Sequence, residues 1–120
     1  MISRMLASSC VWTLLGCSSG GYEPEVHDGD AARGRLAIAD LECGACHVIP
    51  GIPGAWGHVG PPLADYAHNV YIAGKYPNVP EVLVRFVRDA PSLAPDTAMP
   101  AIEMSDAQAR DIAAYLYSLK

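Results

Sequence analysis

Bulky aromatic side chains are scarce in this chain: one Phe and two Trp stand among 120 residues, although hydrophobic residues make up 51%. Alanine carries much of that apolar content, with 11 Gly and 10 Pro between the apolar runs. A chain this short makes only a small core unless something else fills it. The composition therefore describes thin helices separated by loops, with room for a large buried prosthetic group to supply the missing apolar bulk. Basic residues are also few, eight Lys and Arg against thirteen Asp and Glu. An acidic chain is a poor match for nucleic acid or an anionic membrane surface. No repeat, low-complexity run or convincing period-2 strand is found along the chain.

The N-terminus reads as an export signal. Arg4 supplies a short positive region, and Met5 to Leu15 is mostly apolar, interrupted by Ser8, Ser9 and Cys10. That stretch is too short to span a bilayer as a mature helix. It ends in "LLGC", similar to the lipobox of bacterial lipoproteins, in which cleavage falls before the cysteine. Residues 1–16 then form the signal peptide, Cys17 becomes the lipidated N-terminus, and residues 17–29 form a flexible polar tether. An ordinary secretory signal with Cys17 incidental is the competing reading. Loss of Arg4 leaves seven basic against thirteen acidic residues, a net charge of −6. Any membrane attachment must then come from the lipid, with the protein held on the periplasmic side.

Residues 30–120 form one domain. Asp30 caps a helix through Leu41, with Ala32, Leu36 and Ala39 on one face and Gly34 suited to a close helix approach. "VIPGIPGAWGHVGPP", residues 48–62, has too much Gly and Pro for regular structure and forms a long surface loop. Leu63, Tyr66, Ala67 and Val70 recur at helical spacing. Pro80 opens a further helix, with Glu81 in its first turn. Pro91 and Pro95 keep residues 90–101 extended. Ser105 and Gln108 have capping-box spacing before a last helix carrying Ile112, Tyr115, Leu116 and Leu119. The fold class is all-α, with three to five short helices.

Cys10 leaves with the signal and Cys17 is acylated, so Cys43 and Cys46 are the remaining thiols. With His47 they spell "CGACH", and C-x-x-C-H is the attachment pattern for c-type haem. The two sulfurs add across the vinyl groups on one porphyrin edge, and the next residue offers its imidazole to iron. Three other readings compete. A structural zinc site needs four ligands, but no second Cys pair exists and His58 and His68 lack a convincing spacing. A thioredoxin-like pair expects a βαβ context. A plain disulfide leaves the adjacent histidine unexplained. Covalent haem is favoured, and export supports it, because this haem is attached outside the cytoplasm. A six-coordinate electron carrier needs a second axial ligand. The candidates are Met99, Met104, His27, His58 and His68. Met99, in the proline-bounded strap "DTAMPA", is preferred; Met104 suits a packing role beside the last helix.

Over about residues 29–120 these features resemble bacterial class I cytochromes c. The resemblance rests on "CGACH", on "GPPL" at 60–63, on "TAMP", and on Gly34 with Tyr115 as a small–aromatic contact between first and last helices. It implies the cytochrome c fold wrapped around one haem c, with metal ligands His47 and Met99. It also implies that Pro61 accepts a hydrogen bond from His47. Relatives usually place Trp where this chain has Phe86, so Tyr71, Asn78 or an arginine is expected to contact the haem propionates instead. The implied function is one-electron transfer between membrane-bound respiratory donors and acceptors, not enzymatic turnover. "YIAGKYPNVPEVLVRF" also resembles small cytochrome domains associated with respiratory oxidases. Rival readings are a permanent subunit of an oxidase or dehydrogenase, a haem peroxidase and a gas sensor.

Overall fold

The computed structural model describes residues 23–120. Helix α1 spans Ala31–Asp40, and the Asp30 carboxylate accepts the Arg33 amide at its N-terminus. A 3₁₀ turn follows at Cys43–Ala45. Loop residues 46–65 lead to a second 3₁₀ turn at Tyr66–His68 and a small hairpin, β1 (Tyr71–Ile72) with β2 (Tyr76–Pro77). These strands pair antiparallel, Tyr71 opposite Pro77 and Ile72 opposite Tyr76. Helix α2 covers Pro80–Arg88, α3 covers Ala90–Leu93 and α4 covers Asp106–Ser118.

The helix-dominated architecture is the expected one, yet several local readings change. Residues 63–70 are not a helix: Asp65 adopts a left-handed conformation (φ 55°), which leaves a single 3₁₀ turn. Residues 90–93 are helical, not extended. Pro91 lies in the first turn, where a missing N–H costs nothing. The Asp89 side chain caps that turn by accepting the Ser92 amide. The hairpin strands have two residues each, too few for an alternation to register.

The apolar stripe of α1 also differs from expectation. Leu36 is 60% exposed, and Ala32 and Ala39 face solvent. Gly34, Ala37 and Ile38 are the buried set. The crossing of α1 with α4 is the most extensive helix–helix contact. Gly34 makes it possible, but by a different contact from the one expected. A Cβ there would fall against the Asp111 carbonyl and 3.0 Å from the Ile112 amide, so α4 backbone, not the Tyr115 ring, lies over Gly34.

Asp111 holds the same crossing together. It is buried, and its carboxylate accepts the Asp30 amide at 2.8 Å and two Arg33 N–H groups at 2.9 Å. Those Arg33 bonds hold its pKa below the usual carboxylate range against the opposing effect of burial. The capping box at Ser105 and Gln108 is present at the start of α4. Behind α4, Val26 is buried and joins the core, and Glu23 pairs with Lys120. The packed unit therefore begins several residues before Asp30, and residues 23–29 are not free tether. The signal peptide, Cys17 and residues 18–22 lie outside the described residues.

Candidate functional site

The end of α1 delivers the Cys-x-x-Cys-His segment. Leu41 closes the helix, and Glu42 turns the chain in the left-handed region (φ 54°). Cys43, Gly44 and Ala45 then form a 3₁₀ turn, with the Cys46 and His47 amides both donating to the Cys43 carbonyl. This tight turn brings both thiols and the imidazole into one locality. Both cysteines are free and half-buried. Burial, opposed by a backbone hydrogen bond and reinforced by nearby Cys46, pushes the Cys43 thiol up.

His47 is oriented by the next loop. Its Nδ1 lies 2.7 Å from the Pro61 carbonyl oxygen. A carbonyl accepts only, so Nδ1 carries the proton and the Nε2 lone pair is available to a metal. Gly60 packs flat against the ring. A Cβ built there would lie 2.7 Å from Nδ1 and 2.9 Å from Nε2. The Gly60 amide in turn donates to the Cys46 carbonyl at 2.8 Å. Gly60 is a site residue that sequence reasoning passed over, although it opens the quoted "GPPL".

Loop 48–62 is fastened on several sides. The Tyr115 hydroxyl donates to the Pro50 carbonyl at 2.6 Å, and Arg35 Nε donates to the Gly51 carbonyl at 2.9 Å. Gly57 N reaches the Gly44 carbonyl, Leu63 N reaches Val48, and Val48 bridges Trp56. Ile49, Ile52 and Ala55 are buried beneath it. Tyr115 thus positions the loop; its helix period signalled burial but gave no hint of the hydroxyl's partner.

The remaining expected residues are placed as follows. Met99 is half-buried on the strap between α3 and α4, and its amide donates to the Thr97 hydroxyl. The strap is pinned by the Asp89–Ala101 bridge and by the Ile102 amide on the Arg88 carbonyl. Met104 packs against the core and lines a groove between α2 and α4. Tyr71 is 60% exposed, and its hydroxyl makes no hydrogen bond among the described residues. Asn78 sits in the interior. It is buried, its Oδ1 accepts from Tyr117 at 3.0 Å and Tyr66 at 3.4 Å, and its Nδ2 donates to the Asn69 carbonyl at 2.8 Å. Its side chain cross-braces the interior, with one of its two amide N–H groups engaged by Asn69. His27, His58 and His68 are exposed. Among the described residues no group of three or more His, Cys, Asp or Glu side chains gathers into a metal site.

The cytochrome c family model matches residues 31–120. The chain belongs to the cytochrome c family. Membership of that family implies one covalently bound haem c. Its fold is similar to that of the c-type cytochrome SorU from Sinorhizobium meliloti, with a TM-score of 0.52 and 22% identity over 74% of this chain and 88% of the other. Cytochrome c2 from Rhodobacter sphaeroides gives a TM-score of 0.54 and 21% identity, over 76% and 96%. The chain is also 34% identical over 91 residues to cytochrome c oxidase subunit 2 of Alkalihalophilus pseudofirmus. That match covers 75% of this chain and 26% of the relative, so the chain spans about a quarter of the relative's length. The residues present fit the cytochrome c cofactor: two unpaired thiols on one turn, and an imidazole whose Nδ1 is occupied while Nε2 is not.

Proposed function

We propose that Cys43 and Cys46 would hold the haem through two thioether links, that His47 and Met99 would ligate its iron, and that the protein shuttles single electrons at a membrane surface without turning over a substrate. The observation that carries this reading is the His47 Nδ1 contact with the Pro61 carbonyl at 2.7 Å, which sets the ring's tautomer and leaves one nitrogen for iron. Bound haem would supply a one-electron Fe(III)/Fe(II) couple, and thioether ligation raises its potential relative to two histidines. The chain's own residues do the rest. Pro61 and Gly60 fix the imidazole's direction and plane. The strap's backbone bonds keep Met99 in one place, which keeps reorganisation small between oxidation states. Tyr71 offers its hydroxyl to a propionate. With His47 and Met99 both ligating, the iron would offer no open position to a reagent.

A periplasmic location with a lipid at Cys17 completes the reading. The motif "LLGC" supports it, and no helix among the described residues is long and apolar enough to cross a membrane. A short tether would raise the effective concentration of the cytochrome at membrane-bound partners. A second reading, permanent membership of an oxidase complex, is favoured by the 34% identity to an oxidase subunit; co-purification with a large membrane complex would select it. The main test is the oxidised spectrum. Iron–methionine ligation gives a weak far-red charge-transfer band, which Met99→Ala should abolish while lowering the potential. Survival of the band in that variant overturns the ligand assignment, as carbon monoxide binding to the untreated ferrous protein overturns the closed site. An unacylated N-terminus by mass spectrometry defeats the anchor.

A further inference from the structure

We infer that cytochrome c partners are met on an uncharged, apolar face centred on Trp56, and that the partner presents an apolar face of its own. The inference rests on haem attachment at Cys43 and Cys46. From Cys43 through Ala64 the sequence has no Asp, Glu, Lys or Arg. No other run among the described residues is as long without one, and such charges make up 18% of the chain. Within this stretch Trp56 is 72% exposed and Val59 is 66% exposed. Among the described residues, two of the five exposed large hydrophobic side chains therefore stand on the least charged segment.

This face is continuous with the haem turn. Trp56 bridges Val48, the residue after His47, and its neighbour Gly57 donates to the Gly44 carbonyl between the two cysteines. Val59 adjoins Gly60, which packs on the His47 ring. A protein seated on Trp56 is thus seated beside the cofactor's attachment points. The face is also held in shape before any partner arrives. Ile49, Ile52 and Ala55 anchor it inward, Tyr115 and Arg35 hold its carbonyls at Pro50 and Gly51, and Gly57 and Gly60 tie it to the cysteine turn. A rigid surface loses little entropy on docking, and a protruding Trp is the residue type that most often carries interface energy. The flanking charges are Glu42 and Asp65 at the stretch's two ends and Arg35 at Gly51, of mixed sign. Charges of mixed sign do not steer a partner as a one-sign ring would. Lateral confinement, not long-range attraction, would bring the two together.

The test follows oxidation of the reduced holoprotein by membrane vesicles from the producing organism, read at the haem absorption band. Between low salt and about 0.5 M NaCl the second-order rate constant should change less than about twofold, since the contact carries no charge to screen. Trp56→Ala should lower the rate constant about tenfold, and Trp56→Phe should restore most of it, while spectrum and potential match the wild type. Three results overturn the inference. The rate could fall steeply with salt; Trp56→Ala could leave it unchanged; or Trp56→Ala could shift the spectrum or potential, which would make Trp56 packing for the haem. A wild type that binds no haem would instead fail the attachment reading, and the docking face would fall with it.

Discussion

Gly60→Ala tests the geometry around His47 most directly. The added Cβ would lie 2.7 Å from Nδ1 and 2.9 Å from Nε2. Cε1 of the ring lies nearer still, and ordinary non-bonded contact begins near 3.5 Å, so ring or loop must give by at least about 0.8 Å. The loop is poorly placed to move, because the Gly60 amide is bonded to the Cys46 carbonyl at 2.8 Å. A ring displaced that far stretches its 2.7 Å bond to Pro61 past useful hydrogen-bond length. That loss costs about 1 kcal/mol. Overpacking adds about 1–3 kcal/mol, and the stiffer unfolded chain returns about 0.5–1. Net destabilisation is about 1–3 kcal/mol by this reasoning. The redox effect has a definite sign. The Nδ1–H bond makes the ring a stronger donor and favours ferric iron, so its loss should raise the potential. If all of about 1 kcal/mol is expressed in the one-electron couple, the rise is about 40 mV. Urea denaturation and spectroelectrochemical titration of the holoprotein measure the two effects. Gly54→Ala is the control: its Cβ meets nothing within 4 Å, but its φ is +77°. It should lose about 1 kcal/mol of stability at unchanged potential. A Gly60→Ala protein with wild-type potential and midpoint, or equal potential shifts in both variants, refutes the clamp.

Two further outcomes follow from the interior. The Asp111 carboxylate is held below its usual range by Arg33, so it contributes stability that is present above about pH 4 and is lost as pH falls through the lowered folded value; Asp111→Asn should be less stable than wild type at pH 7, and urea midpoints should converge as pH drops below about 4. Asn78→Ala should cost about 2–4 kcal/mol, because it strands the Asn69 carbonyl and removes an acceptor from two buried tyrosines. Tyr66→Phe should cost under about 1 kcal/mol, since that bond is 3.4 Å long; equal losses in the two variants would contradict the network.

The Cys-x-x-Cys-His turn was legible because Cys43, Cys46 and His47 stand within five residues, and no distant contact is needed to bring them together. The capped helices were legible for the same reason, with Asp30 and Ser105 each three residues from the amide they accept. What escaped depends on neighbours distant in sequence. Leu36 looked like core because periodicity reports a stripe without saying which stripe meets α4; the Gly34 approach to Asp111 decides that. Asp65 in left-handed backbone stopped a helix that apolar spacing favoured. Sequence reasoning names Asn78 only as one possible propionate contact, and nothing nearby in sequence announces its bond to Tyr117, 39 residues away.

These long-range contacts share one consequence. Gly34 lets α1 and α4 close on each other, and α4 then carries Tyr115 to the Pro50 carbonyl while α1 carries Arg35 to the neighbouring Gly51. The loop so fastened returns through Gly60 and Pro61 to the His47 ring. The helix crossing, the loop and the imidazole therefore form one mechanical chain. A chain poor in large side chains gains its rigidity here from backbone carbonyls held by a tyrosine, an arginine and amides, and not from a bulky core. Loosening the Tyr115 anchor should thus be felt at the histidine even though the two side chains do not touch, because Pro50 and Pro61 belong to the same tied loop.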